Sequence, residues 1–166
     1  MTIRLDYLKH ADPEPLTALS GLSGYLHECG IDPALLLLIE LRASQLNGCA
    51  YCVDMHTKDL EALGEDRARG YLLATWREAN VYTEAERAAL AWTEVLTKLH
   101  AAGDLQPEYE ELAKHFSAKQ MVRITLGVVA INGWNRLSVA FGRDAGAYKP
   151  GDLTPIFSKS LQKLRS

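Results

Sequence analysis

The segment from Asn47 to His56 contains the side chains best suited to chemistry. Cys49 and Cys52 lie three residues apart, and His56 follows four residues after Cys52. On a helix of 3.6 residues per turn, these three positions share one face, within about 60° of one another. An apolar, helix-like run precedes the segment, and helical character continues to Leu63. The pair is therefore expected at or near a helix N-terminus.

This arrangement suits thiol redox chemistry. A C-x-x-C pair at a helix N-terminus can close a disulfide, and unpaired N–H groups and the helix dipole stabilise a thiolate there. A thiolate attacks a peroxide or a disulfide, and the other cysteine then resolves the oxidised thiol by forming the internal disulfide. His56, one turn beyond Cys52, can accept the proton of that thiol.

Two other interpretations of the cysteines stay open. Buried cysteine is often a small hydrophobic packing residue. A C-x-x-C can also be half of a zinc site, but closed zinc sites usually need four ligands. The sequence has no second C-x-x-C and no H-x-x-x-H, so His100 and His115 would have to complete such a site. We favour a redox dithiol that needs neither a metal nor an organic cofactor.

Length and composition indicate one globular domain. The chain has 166 residues, of which 48% are hydrophobic, enough to form a proper core. The formal net charge is −3, from 18 basic and 21 acidic residues. This balance lacks the basic footprint of a nucleic-acid-binding protein, so no nucleic-acid partner is expected.

Cysteine usage and hydropathy predict a cytoplasmic protein. The three cysteines, Cys29, Cys49 and Cys52, are too few and uneven for a secreted disulfide framework. The charged start of the chain lacks an apolar signal segment, and no apolar run reaches transmembrane length. In a reducing compartment the pair is expected to rest as a dithiol and to cycle during catalysis. Cys29 is expected to be a structural or incidental thiol.

The hydrophobic pattern predicts an all-α bundle of about six to eight helices, with the C-x-x-C at a helix N-terminus. Apolar residues recur at helical spacing, and no segment shows sustained alternation. Thr83 with Glu86, and Ser117 with Gln120, have the spacing of capping boxes. An extended lead-in over 1–13 precedes helices predicted at 15–28, 33–46, 49–63, 66–76, 83–102, 107–116 and 117–141.

Residues 1–166 are predicted to form a single domain, with a core at about 15–141 and a C-terminal extension at 142–166. Glycine and proline interrupt the extension, and apolar residues recur between 156 and 164. This last stretch is consistent with a frayed helix or an arm that packs on another subunit. It is equally consistent with a solvated tail.

The dithiol segment resembles a known family. Glu40 to Thr57, together with 76–78, 86–94 and 132–136, resembles the AhpD-like alkylhydroperoxidase branch of the carboxymuconolactone decarboxylase family. The resemblance extends over about 16–141. It implies an all-α bundle that assembles into homo-oligomers, commonly trimers or hexamers.

The resemblance also implies an activity and its site residues. Cys52 corresponds to the thiol that attacks the hydroperoxide substrate, Cys49 to a more exposed resolving thiol, and His56 to a member of a proton relay. An external dithiol, such as a dihydrolipoamide-type or thioredoxin-like reductant, restores the pair. We therefore predict a thiol-dependent peroxidase. The alternatives are a decarboxylase or lactone-processing enzyme of the same family, which needs no dithiol, and a redox-responsive binding protein without enzymatic activity.

Two relay residues of the family are replaced in this chain. The family's glutamate, twelve residues before the first cysteine, corresponds to Leu37, and its histidine before the second cysteine corresponds to Tyr51. Tyr51 is a candidate relay residue. An ideal helix directs it away from the dithiol face, however, so packing is its other interpretation.

Three carboxylates are candidates to replace the family's glutamate. Glu86 is the preferred candidate for a catalytic role, although the capping box already explains it. Glu94 can instead pair with Lys98 on a solvated face. Glu40 lies about one helical turn beyond Leu37 on the same helix.

Overall fold

Nine α-helices make up most of residues 3–166, which is the range that the computed structural model describes. They are α1 (Tyr7–His10), α2 (Pro13–Glu28), α3 (Pro33–Leu46), α4 (Ala50–Ala62), α5 (Arg67–Tyr71), α6 (Glu84–Thr97), α7 (Gln106–His115), α8 (Ala118–Phe141) and α9 (Thr154–Arg165). Short 3-10 helices lie at Leu73–Thr75 and Leu99–Ala101. Over this range the chain has no strand, which confirms the all-α prediction. None of these helices is long and apolar enough to cross a membrane.

The prediction of an extended lead-in is wrong where α1 forms. Tyr7 in α1 is buried, and its ring lies 5.7 Å from that of Phe141 at the end of α8. The Arg4 guanidinium donates to the Val139 and Ala140 carbonyls at 2.8 and 2.9 Å. These are among the last carbonyls of α8, which have no partner within their own helix. The end of α8 therefore fixes a lead-in that local sequence patterns do not specify.

Helix α3 lies at the centre of the fold. Its apolar run from Leu35 to Ile39 is buried on every face, as the lack of a polar break predicts. The helix packs against α4, α6 and α8. It begins at Asp32, whose side chain accepts from the Leu35 N–H at 2.9 Å. Because α3 is enclosed, its one acidic residue, Glu40, is carried into the interior.

Capping residues fix the ends of the helices around α3. Both predicted capping boxes form, at Thr83 with Glu86 and at Ser117 with Gln120. Gly142 ends α8 with a φ of 70°, a left-handed conformation that favours glycine. The segment behind it turns back across α4.

The C-terminal extension ends in a helix that packs on its own chain. Helix α9 lies along α2, with Ser160 and Leu161 buried. A Cβ atom on Gly24 of α2 would lie 2.6 Å from the Phe157 carbonyl oxygen, so only glycine allows this approach. The stretch is therefore a helix packed on its own chain rather than a solvated tail.

We expect Gly24→Ala to destabilise the protein by about 1–3 kcal/mol, because the new methyl group forces the α9 backbone away from α2. Gly70→Ala in α5 is the matched control. Its Cβ would lie 3.8 Å from Thr57 Cγ2, an ordinary van der Waals contact, and alanine is favoured over glycine within a helix. Urea unfolding of both variants tests this. Equal stability of the two variants would contradict the tight α2–α9 contact.

Candidate active site

The dithiol lies at the N-terminus of α4, as predicted. Cys49 is the N-cap residue, and its sulfur accepts from the Cys52 N–H at 3.4 Å. The two cysteines are joined by a disulfide, with their Cα atoms 5.4 Å apart. The structure therefore describes the oxidised form of the pair. Cys29 is a free thiol at the C-cap of α2, as expected.

An amide network positions the turn that precedes Cys49. The Asn47 side chain donates to the Asn132 and Asn135 side-chain oxygens on α8 at 3.0 and 2.9 Å. Asn135 in turn donates to Ser44 Oγ at 3.0 Å. Gly48 then turns the chain with a φ of 66°. The polar residues of α8 thus hold the end of α3 and the start of the dithiol helix together.

Cys52 lines a small apolar cavity, which we call the Cys52 cavity. Its volume is about 100 Å³, and Cys49 is not part of its lining. The walls include Met55, Trp134, Leu153, Ile156 and Phe157. The last two belong to α9, so the C-terminal helix helps to enclose the thiol. The expectation that Cys49 is the more exposed cysteine is wrong, because both side chains are 1% exposed.

A larger cavity of about 330 Å³ lies next to the first, and we call it the His56 cavity. It shares four walls with the Cys52 cavity, namely Met55, Trp134, Leu153 and Phe157. Its lining includes His27, Leu37, Glu40, His56 and Asp59. The thiol and the predicted relay histidine therefore face neighbouring cavities with a common partition.

The segment between α8 and α9 closes one side of both cavities. Lys58 Nζ donates to the Gly146 and Tyr148 carbonyls at 3.0 and 3.1 Å. The Tyr148 hydroxyl donates to Asp59 at 2.8 Å. Lys58 and Asp59 both lie on α4, so the helix that carries the dithiol also holds the segment that closes the cavities.

Glu40 and His56 form a buried pair in the His56 cavity. Glu40 Oε2 lies 3.4 Å from His56 Nδ1, and the side chains are 8% and 6% exposed. Burial raises the pKa of Glu40 to about 8, and the nearby Asp59 carboxylate adds to the shift. Burial likewise lowers the pKa of His56 to about 3, with a further contribution from His27. Although the separation would suit an ion pair, desolvation favours a neutral acid beside a neutral imidazole at pH 7.

The Glu40–His56 pair makes few of the hydrogen bonds that its polar atoms could form within the protein. Glu40 Oε2 and both His56 ring nitrogens lack a hydrogen-bond partner in residues 3–166. Buried polar atoms are rarely left without partners in folded proteins. Glu40 and His56 both contribute to the lining of the His56 cavity, although these three atoms are themselves buried.

Tyr51 lies at the Cys52 cavity, although ideal helix geometry directs it away from the dithiol. Its ring packs under the Arg143 guanidinium, with Cζ 3.8 Å from the ring centroid, and meets the edge of the Tyr148 ring. Burial raises the pKa of Tyr51, although the Arg143 charge opposes the shift. Its hydroxyl therefore stays protonated at neutral pH. The proposed relay role of Tyr51 stays a prediction.

Glu86 is not brought to the dithiol. Its carboxylate pairs with the Arg69 guanidinium and accepts from the Thr83 N–H, and it lines neither cavity. A catalytic role for Glu86 remains a prediction. Glu40 is the carboxylate that lies beside His56.

Glu94 is part of a separate charge network. The suggested pairing with Lys98 is wrong, because its carboxylate binds Arg42 at 2.6 Å and Arg77 at 2.6 Å. Burial opposes ionisation, but hydrogen bonds from Trp76, Arg77 and Arg42 lower the pKa of Glu94. It therefore stays ionised as a structural anion.

Sequence patterns did not indicate two residues of the site, His27 and Arg143. His27 lies near the C-terminal end of α2 at the rim of the His56 cavity, where its ring stacks on Phe157 at 5.7 Å. Arg143 follows the helix-ending Gly142 and reaches the Cys52 cavity. Basic residues near the C-terminal end of a helix are common, so neither His27 nor Arg143 carries a distinctive sequence signal.

Fold and site together define an all-α protein with a disulfide-bonded C-x-x-C at a helix N-terminus beside an apolar cavity. Within residues 3–166, no group of three or more histidine, cysteine or acidic residues could hold a metal ion. The carboxymuconolactone decarboxylase family profile matches residues 13–95. The chain belongs to this family and to its AhpD-like branch.

Known relatives support this assignment across most of the chain. The uncharacterized protein YdfG of Bacillus subtilis is 35% identical over 147 residues, which cover 89% of this chain and 99% of YdfG. An Agrobacterium tumefaciens protein of unknown function, described as a candidate antioxidant defence protein AhpD, superposes with a TM-score of 0.84 at 40% identity. That match covers 89% of this chain and 100% of the other.

A more distant likeness concerns the fold alone. The debrominase Bmp8 in complex with 2,3,4-tribromopyrrole superposes with a TM-score of 0.76 at 21% identity, covering 94% of this chain and 79% of Bmp8.

Proposed function

We propose that this protein is a thiol-dependent peroxidase that reduces organic hydroperoxides through Cys52 and Cys49. The observation that carries the proposal is the position of Cys52, which is disulfide-paired, in the first turn of α4 and part of the lining of an apolar cavity. Such a cavity excludes water and accepts an apolar substrate, while the helix N-terminus favours the thiolate.

The reaction begins from the reduced pair. The Cys52 thiolate attacks one peroxide oxygen, the O–O bond breaks, and Cys52 becomes a sulfenic acid while the alkoxide leaves. The alkoxide takes up a proton to give the alcohol. The Cys49 sulfur then attacks Cys52, and hydroxide leaves and is protonated to water as the disulfide forms. An external dithiol reduces the disulfide and is itself oxidised.

His56 and Glu40 are the proposed proton relay. Glu40 with a pKa of about 8 holds a proton near neutral pH and can supply it to a leaving oxygen. His56, one turn beyond Cys52 and 3.4 Å from Glu40, can carry that proton as a neutral imidazole. Glu40 thus takes the role that the family assigns to the position of Leu37, from one turn along the same helix face.

The test is the rate at which the reduced protein loses its two motif thiols to one equivalent of cumene hydroperoxide. We expect loss about a hundredfold faster than from a free dithiol, since positioned proton transfer contributes at least that factor. Addition of a dihydrolipoamide-type dithiol should then sustain repeated turnover. Loss no faster than from the free dithiol, or a single oxidation that only alters assembly, would instead favour the redox-responsive binding protein.

Tyr51→Phe separates the two interpretations of this residue. The phenyl ring can still pack under Arg143, so only the hydroxyl is lost. We expect thiol oxidation to slow by about fivefold, because a hydrogen bond to the peroxide contributes about 1 kcal/mol. Stopped-flow measurement of thiol loss, with Tm as the control for folding, checks this. An unchanged rate would leave Tyr51 as a packing residue.

A further inference from the structure

Among the described residues that line the Cys52 cavity, Arg143 is the one cationic side chain. Its guanidinium lies on the Tyr51 ring at 3.8 Å. Its side-chain hydrogen bond in the described range goes to the Tyr7 hydroxyl at 3.1 Å. A guanidinium has five N–H donors, so most of them are available to a ligand.

Within residues 3–166, no carboxylate lies within 4.0 Å of this guanidinium. Asp6 and Asp144 line a recess together with Arg143. Asp6 is engaged by Lys9 at 3.0 Å. Asp144 accepts from the Ala145 N–H at 3.2 Å. The charge of Arg143 therefore lacks an ion-pair partner beside a mostly apolar cavity.

Arg143 also lies between the thiol and the surface. Arg143 and Leu8 line both the Cys52 cavity and this recess, which measures about 250 Å³. A molecule that passes from the recess toward Cys52 would therefore contact this guanidinium. The planar guanidinium matches the geometry of a carboxylate and binds it through two parallel hydrogen bonds.

We propose that Arg143 anchors the anionic group of the substrate, and that the preferred substrates are organic hydroperoxides that carry a carboxylate on an apolar body. The apolar part packs against Met55, Trp134 and Phe157, and the peroxide lies at Cys52. This inference rests on the proposed function of Cys52. It extends that function by naming the substrate class and a residue that selects it.

The kinetic test compares 4-(2-hydroperoxypropan-2-yl)benzoate with its methyl ester. We expect the reduced protein to lose its motif thiols about tenfold faster to the acid, the factor for about 1.4 kcal/mol of selective binding. The net charge of −3 disfavours anions in general, so only a local cation explains such a preference. In Arg143→Gln the ratio of the rate of thiol loss to the acid over that to the ester should fall to about one. Arg143→Lys should keep part of the preference.

Arg67→Gln is the matched control, because Arg67 is an exposed arginine that lines neither cavity at the dithiol. This variant should keep the parental ratio. A ratio of one in the parent, or a preference that survives in Arg143→Gln, would overturn the inference.

A binding measurement separates this inference from the proposed function. The parent in its disulfide form cannot react, and 4-isopropylbenzoate lacks a peroxide. Calorimetry should show that it binds about tenfold more tightly than its methyl ester, and only when Arg143 is present. Selective binding without rapid thiol oxidation would support the anion site and refute the peroxidase. Rapid oxidation without selective binding would support the peroxidase and refute the anion site.

Discussion

Replacing Cys52 by serine should slow hydroperoxide-driven oxidation of the protein at least a hundredfold, whereas replacing Cys49 by serine should stop the reaction at a sulfenic acid on Cys52. The two sulfurs share one disulfide, but only Cys52 lines the cavity that can hold a substrate. Without Cys52, neither remaining thiol lines that cavity. We therefore expect at least a hundredfold loss of rate, the contribution of a positioned catalytic group.

Mass spectrometry after trapping with a sulfenic-acid reagent measures both outcomes. One adduct should appear on Cys52 in Cys49→Ser, and none at a comparable rate on Cys49 in Cys52→Ser. Cys29→Ser is the control, since Cys29 is a free thiol at the end of α2 and outside both cavities. It should react as the parent does. Rapid adduct formation on Cys49 would reverse the assignment of the two thiols.

Local sequence signals predicted the helices and the dithiol well. The apolar run of α3, the capping box at Thr83 and the C-x-x-C at a helix start each depend on contacts within one or two turns. Such contacts are encoded in neighbouring residues, so spacing alone reveals them. The structure confirms each of these three features.

The composition of the site was harder to predict, because it depends on contacts between distant segments. The preference for Glu86 over Glu40 rested on the segment that resembles the family, but burial of α3 places Glu40 beside His56. The α9 wall of the Cys52 cavity depends on Gly24 in α2, more than 130 residues earlier in the chain. Tyr51 reaches the cavity because it packs with Arg143, which belongs to another segment.

Glu40 should make the stability of the parent fall with rising pH above about 6.5. Its pKa is raised from 4.5 to about 8, so its contribution is complete below 4.5 and is lost as pH rises toward 8. The pKa of His56 is lowered from 6.5 to about 3, so its contribution is complete above 6.5 and is lost toward 3. Between pH 4.5 and 6.5 the contributions of Glu40 and His56 change with pH in opposite directions and by similar amounts, so they cancel. Apart from the effect of other titrating groups, the free energy of unfolding should therefore not change with pH in this window. From pH 6.5 toward 8 it should then fall by about 1.4 kcal/mol per pH unit.

Glu40→Gln isolates the part of this profile that Glu40 causes. Relative to the parent, the variant should gain stability by about 1.4 kcal/mol per pH unit from pH 4.5 toward 8. Urea unfolding of both proteins at several pH values measures the difference, in which other titrating groups largely cancel. A difference that does not change with pH would mean that Glu40 is ionised in the folded protein, as half of an ion pair with His56.

The same variant tests the relay, because glutamine can fill the space of Glu40 but cannot supply a proton. We expect the second-order rate of thiol loss to cumene hydroperoxide at pH 7 to fall about a hundredfold. Glu86→Gln is the matched carboxylate control. It loses the charge pairing with Arg69, but glutamine can still complete the capping box, as Gln120 does with Ser117. Its stability should therefore fall by no more than about 1 kcal/mol while its rate is kept. If Glu86→Gln slows the reaction and Glu40→Gln does not, the relay carboxylate is Glu86. A gain in alkaline stability combined with a loss of rate would show that burial of Glu40 as a neutral acid is what makes it a proton donor.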